Sequence, residues 1–394
     1  MFYRLAESSW DNKEKEVMHD VIETGMHSMG KQVKNFEEEF SKWLGCKYCV
    51  MVNSGSTANL LGVFSLLYHS KNSKNINNKK KIIVPAVSWS TTYFPLHQAG
   101  FELVFVDVDK ETLNIDVRKV KEALESNSDV YGICAVNLLG NPADLIELKL
   151  LSEEYDVVLF EDNCESLGAE IDGKKTGTFG EFGSFSFFFS HHLCTMEGGM
   201  IATDDEELYH IILSLRAHGW VREVPNEKFL KIDCDEFEKR FRFILPGFNV
   251  RPTEMQGALG LCQLSKVDDF MKFRRSNAEI FRKFFSSYPE IILQNESGFH
   301  TYFGFSILLP KRIDRNGLAS YLHKEGIETR PVLAGNFLKN PVLEHLNYST
   351  SGSFDNSDYI DKHGLFFGSH NRDLSETFQK TFEKFENYLR ENGY

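Results

Sequence analysis

The chain has no apolar run long enough to cross a bilayer. Its opening residues, Met1-Phe-Tyr-Arg-Leu-Ala-Glu-Ser-Ser-Trp10, carry no signal-peptide core. A membrane protein is therefore not expected, and the cytoplasm is the expected compartment. Basic excess is also missing: 57 acidic residues against 44 Lys and Arg leave a formal net charge of -13. With no basic stripe to offset that charge, nucleic acid is not an expected partner. A small anion held by a few arginines is still allowed. Cysteine is sparse and odd in number, seven in 394 residues, scattered through apolar segments. That is no disulfide framework and reads as reduced thiols. Cys46 and Cys49 make a lone CxxC without the second pair a zinc site needs, and are read as structural. No metal is expected, and no internal repeat is visible.

What the chain does have is phenylalanine, 34 of them. They concentrate in the run Gly183-Ser-Phe-Ser-Phe-Phe-Phe-Ser-His-His-Leu-Cys-Thr-Met-Glu-Gly-Gly199. Phe185 to Phe189 reads as a buried strand, followed by a polar turn with His191 and His192 and a return strand, Met200 to Thr203. A turn anchored on such a strand suits a reactive side chain. Taken alone, the run reads equally as a core strand with two surface histidines.

The rest of the chain alternates strand and helix. Strands are expected at 48–53, 81–85, 101–108, 130–136 and 157–163, with helices between them. This is an α/β pattern with a largely parallel, helix-covered sheet. Ser54-Gly-Ser-Thr-Ala58 joins a strand to a helix start, where free N–H groups and the helix dipole favour an anion; a plain helix cap is the alternative. Trp89 follows the next strand, at the end where open α/β sheets bind ligands. Asp162 ends a buried strand, and a carboxylate there needs a partner. Glu165 reaches the same region. A loop is expected over 69–81 and a charged surface excursion over 224–240. Thr253 to Gln256 is a capping box opening one long helix to about Tyr288. The expected organisation is a large domain over 1–252, a connecting helix over 253–288 and a small α/β domain over 289–394.

In this order, Asn53-Ser-Gly-Ser-Thr-Ala58, Val84-Pro-Ala-Val-Ser-Trp89, Glu161-Asp162, Gly177-Thr-Phe-Gly180, Ser186-Phe187, Glu197-Gly-Gly199 and Gly247-Phe-Asn-Val-Arg251 resemble the sugar aminotransferase family of pyridoxal-phosphate (PLP) enzymes. The resemblance covers nearly the whole chain and implies the aspartate-aminotransferase fold (fold type I). It implies that Ser56, Thr57 and Ser186 hold the cofactor phosphate. Trp89 would stack on the pyridine ring, Asp162 pair with its nitrogen, and Glu165 stand near its hydroxyl. Asn249 would reach the phosphate of a neighbouring subunit, so a homodimer with shared sites is implied.

One position departs from the family. Where it has the lysine that joins the cofactor covalently, this chain has His191. Imidazole has no primary amine. A branch of the family shares the change: sugar 3-dehydratases acting on nucleotide-linked 4-keto-6-deoxyhexoses. The resemblance therefore implies non-covalently bound PLP and pyridoxamine phosphate (PMP), a nucleotide-sugar substrate, L-glutamate as amino donor, and His191 as catalytic base. An imidazole with an ordinary pKa of about 6.5 can take a proton and return it. His192 reads as structural. His218, Arg222, Arg251 and Arg330 are the candidate contacts for sugar, diphosphate or glutamate. Two other readings stand beside this one: an aminotransferase using another lysine, and an inactive sugar-nucleotide-binding relative.

Overall fold

The computed structural model describes residues 1–71, 79–222, 224–225, 235 and 237–394. The middle of the expected 69–81 loop and most of the expected 224–240 excursion lie outside the described residues.

The strands, in chain order, are β1 (Tyr48–Val52), β2 (Lys81–Pro85), β3 (Glu102–Val106), β4 (Val130–Val136), β5 (Val158–Asp162), β6 (Glu170–Ile171), β7 (Lys174–Lys175), β8 (Gly183–Ser186), β9 (Gly199–Thr203), β10 (Ile292–Leu293), β11 (Gly304–Leu308), β12 (Tyr348–Thr350) and β13 (Gly364–Gly368). Eight form one sheet in the order β1-β9-β8-β5-β4-β2-β3-β12. Only β9 runs against both of its neighbours. All seven residues of β4 are buried, the mark of a strand covered on both faces. Glu161 on β5 is wholly buried and accepts hydrogen bonds from Gly177, Phe179 and Gly180 N–H and from Asn137. That carboxylate explains the Gly177–Gly180 motif: the turn wraps it, replacing the water it gave up.

A second sheet, β10-β11-β13, is antiparallel. Helices Val267–Phe285 and Ser375–Glu391 pack their apolar stripes against it around Phe281, Phe285, Phe378 and Phe385. The expected boundary at 289 is crossed in both directions. Strand β12, from the C-terminal region, joins the large sheet beside β3. Tyr3, from the other end, is buried in the small sheet's core and donates to the Gly368 carbonyl.

Two expectations need correction. The helix expected from 253 to 288 is two helices, Glu254–Leu264 and Val267–Phe285. The chain turns at Ser265–Lys266, where Lys266 Nζ is drawn to Glu14 at 2.6 Å and Asp11 at 2.9 Å. Glu14 is fully buried, and the ammonium is what lets its carboxylate stay there. The phenylalanine strand is also shorter than expected. Pairing with β9 ends at Ser186, so the alternation that buries Phe185 and Phe187 stops. Phe188 and Phe189 are each 43% exposed in the single chain.

Candidate active site

Five parallel strands end at one cavity of about 510 Å³. After β1, Ser54 caps helix Gly55–Tyr68: its Oγ accepts from Thr57 N–H, and Thr57 Oγ1 accepts from Ser54 N–H. Thr57 Oγ1 then donates to Asn53 Oδ1 at 2.7 Å. The Thr57 hydroxyl is spent on the cap and does not line the cavity, whereas Ser56 does. Ser186, at the end of β8, faces the same helix start. A Cβ on Gly55 would lie 2.4 Å from the Ser186 Cβ, so only glycine lets these two elements meet. Ser56, Ser186 and the first N–H groups of the helix make a concave anion cradle.

Trp89 stands at the end of β2 and is 52% exposed, its ring presented to the cavity. Opposite, Asp162 is buried at the end of β5. Its Oδ2 accepts from Asn59 Nδ2 at 2.9 Å and Thr92 Oγ1 at 2.7 Å, and its Oδ1 from Cys164 N–H at 3.2 Å. Among the described residues no cation lies within 4.0 Å of it. Three donors fix the carboxylate and leave it open to a cationic ligand. Glu165 accepts from Leu139 N–H at 3.1 Å. Burial pushes its carboxyl up to about 7, against a smaller opposing pull from Arg330.

His191 completes the cavity and also forms a wall of a second, polar cavity of about 140 Å³. Its Nδ1 is shut off from solvent with no protein partner. Its ring meets Phe303 edge-on at 5.1 Å. Burial lowers its pKa to about 3, helped by the guanidinium charges of Arg274 and Arg330. The ordinary value used above therefore does not apply: this imidazole is neutral near pH 7. His192 points away, wholly buried, its Nε2 3.1 Å from the Thr301 carbonyl. The chain's first residues cross both cavities. Leu5 and Ala6 wall the larger, and Ala6 to Trp10 the smaller. Trp10 Nε1 is tied to the Cys194 carbonyl at 3.2 Å.

Of the other expected contacts, Arg330 lines the large cavity, lying over the Phe366 ring at 4.2 Å. His218, Arg222, Asn249 and Arg251 do not. They gather around Trp220, with Arg222 at 4.7 Å and Arg251 at 5.9 Å from its ring and Arg251 Nε donating to Asn249 at 3.1 Å. Among the described residues no lysine lines the cavity. Lys174 and Lys175 lie instead over the Phe179 and Trp43 rings. Cys46 and Cys49 are free thiols with sulfurs 3.4 Å apart, and no described His, Cys, Asp and Glu group could hold a metal. Sequence reasoning missed Asn59, Thr92 and Arg274. Asn59 lies one helical turn past Gly55 and Thr92 three residues past Trp89, spacings that share a face. Arg274 interrupts the buried apolar stripe Val267, Phe270, Met271, Ala278 and Phe281.

The model of the DegT/DnrJ/EryC1/StrS aminotransferase family matches residues 8–386. The chain is 49% identical to GDP-4-keto-6-deoxy-D-mannose 3-dehydratase of Yersinia pseudotuberculosis, over 96% of this chain and 97% of that protein. The solved E. coli GDP-4-keto-6-deoxy-D-mannose-3-dehydratase with bound hydrated PLP superposes with a TM-score of 0.93 at 46% identity, covering 97% of this chain and 98% of that one. A GDP-4-keto-6-deoxymannose-3-dehydratase structure with a trapped PLP-glutamate adduct also gives a TM-score of 0.93 at 46% identity, over 97% and 99% of the two chains.

Proposed function

Because the chain belongs to the DegT/DnrJ/EryC1/StrS aminotransferase family, we propose a function that turns on the single position where its site departs from an aminotransferase. The chain is a PLP/PMP-dependent GDP-4-keto-6-deoxy-D-mannose 3-dehydratase. It removes the C3 hydroxyl to give the 4-keto-3,6-dideoxy sugar, with L-glutamate renewing the amine form of the cofactor and ammonia released. The observation that carries this reading is His191 lining a cavity where, among the described residues, there is no lysine.

The residues present fit the cofactor. Asp162, oriented by three donors and lacking a cation, would hold the ring nitrogen in its protonated form. The exposed face of Trp89 would lie against the ring. Ser56, Ser186 and the helix start at Gly55 would hold the phosphate, with Thr57 acting through the cap. Glu165 would stand near the ring hydroxyl. When bound, the group supplies an amine for the sugar ketone and a sink for the electrons of elimination.

His191 does the proton work. With no amine it forms no covalent link to the cofactor, so the amine form is free to work. With Nδ1 shut off, a single nitrogen takes the proton and gives it back. Hydroxide is a poor leaving group, the pKa of water being roughly 15.7, so the C3 oxygen needs that proton as it departs. An imidazolium destabilised by burial and two arginines is a strong acid and returns it readily. We further place the enzyme in the cytoplasm as a homodimer. Phe188, Phe189 and Asn249 are exposed in the single chain, which supports a second copy seated there. No helix among the described residues is long and apolar enough to cross a membrane.

Incubation with GDP-4-keto-6-deoxymannose, PLP and L-glutamate is expected to yield ammonia, 2-ketoglutarate and a sugar lighter by one oxygen. A 4-amino sugar as the product would sink the assignment.

A further inference from the structure

The small cavity behind His191 holds two arginines with opposite circumstances. Arg372 is neutralised: Nε and Nη2 reach the two carboxylate oxygens of Glu7 at 2.8 and 3.0 Å. Arg274 is not. It is 2% exposed, and its bonds go to neutral groups: Nε to Asn371 Oδ1 at 2.6 Å, Nη1 to the Tyr302 and Phe303 carbonyls at 2.9 and 3.3 Å. No carboxylate among the described residues lies within 4.0 Å of it. A buried guanidinium without a counter-charge is costly enough that burial lowers its pKa to about 9. Arg330 in the large cavity lies over Phe366, with no carboxylate within 4.0 Å among the described residues and Glu165 acting on it only through space. The charges of both guanidiniums act on His191 through space. Ala6, Ser190 and His191 line both cavities, so the two spaces adjoin.

We propose that Arg274 and Arg330 form a dicarboxylate clamp across His191, with Arg274 receiving the side-chain carboxylate of the acidic amino donor in the small cavity. Arg274 is thus the residue that makes the enzyme select an acidic donor. This rests on the dehydratase reading above, in which an amino donor must follow the sugar into the same cavity. The second space is the right size: about 140 Å³ is the room of four or five waters at ~30 Å³ each, enough for a carboxylate and its methylene but not for a nucleotide. Charge-assisted hydrogen bonds to a buried guanidinium also favour the ionised carboxylate over a neutral isostere.

Glutarate has both carboxylates and no amine, so it binds without reacting. Titrated into the PLP-loaded enzyme, it is expected to bind about 10–100-fold tighter than butyrate. Arg274→Met is expected to erase that preference and Arg274→Lys to keep part of it. The kcat/KM ratio of L-glutamate to L-2-aminobutyrate should fall in parallel. Arg274 also holds Asn371 and two carbonyls, so Arg274→Met can lose its fold. Ser369→Asp then decides, by placing a carboxylate in the small cavity while leaving Arg274 in place, and it too is expected to erase the preference. Equal binding of glutarate and butyrate by the wild type overturns the proposal. So does a preference that survives in folded Arg274→Met or in Ser369→Asp, or GDP competing with glutarate only when Arg274 is intact. One turnover of sugar by wild-type PMP-loaded enzyme tests the dehydratase reading alone. Dehydration there without any glutarate preference removes only the clamp.

Discussion

His191 and His192 are adjacent and chemically identical, and the fold sends them to opposite fates. His192 is buried, its Nε2 against the Thr301 carbonyl and its ring against Phe303, and it lines neither cavity. The His191 ring shares Phe303 but has no hydrogen-bond partner among the described residues, and it lines both cavities. The contrast teaches that residue type says little about role until the hydrogen bonds are traced. A buried ring anchored away from any cavity is architecture, whereas one that faces a cavity is available for chemistry. Phe303 ties the two together, so the structural histidine indirectly sets the wall against which the chemical one leans.

That contrast can be broken in three places. The largest effect belongs to His191→Lys. It restores the amine, so a covalent lysine–cofactor link should appear by mass spectrometry after borohydride reduction. Dehydration should fall on the order of 10²–10⁴-fold with the loss of the group that carries the proton. Undiminished dehydration would remove His191 from the mechanism. His192→Ala should do the reverse. Loss of the bond to Thr301 and of the buried ring is expected to cost about 2–4 kcal/mol in urea denaturation. Dehydration should stay within about tenfold of wild type, since general acid–base help is typically worth more than that. A stable His192→Ala protein with no turnover would erase the asymmetry. The smallest effect concerns Glu165. Its folded pKa, about 7, lies above the ordinary 4.5. The folded state therefore binds the proton more tightly, and stability is lost as pH rises from 4.5 through 7. Glu165→Gln removes that loss. In cofactor-free protein the variant should match wild type near pH 4.5 and exceed it by about 1–3 kcal/mol at pH 8. Parallel pH profiles for the two proteins would show that Glu165 titrates normally.

Much of the fold was legible because its parallel strands are continuous apolar runs with helices between them. β4, expected over 130–136, has those bounds. So were Ser56, Trp89, Asp162, Glu165, Ser186 and His191, all of which line one cavity, because each sits where a strand ends. The misses have different causes. The break at Lys266 depends on Glu14, some 250 residues away in the chain, and no local pattern carries that pairing. Exposure of Phe188 and Phe189 depends on where a neighbouring strand stops. Four further residues lie apart from the cavity without overturning an expectation: His218, Arg222 and Arg251 gather around Trp220 with Asn249, which was expected at a neighbouring subunit's phosphate. Arg274 was readable in principle, as a charge on the buried face of an amphipathic helix, but the motif-based reading did not weigh helix faces that far from the strand ends.

The leading segment has a practical consequence. Tyr3 is locked into the small sheet's core, Leu5 and Ala6 wall the large cavity, and Trp10 is tied beside the small one. An affinity tag or fusion partner attached ahead of Met1 would pull on this strap, and trimming the segment would flood both chambers with water. Tyr394, partly exposed at the end of the last helix, lines neither cavity, so handles for purification or immobilisation belong there.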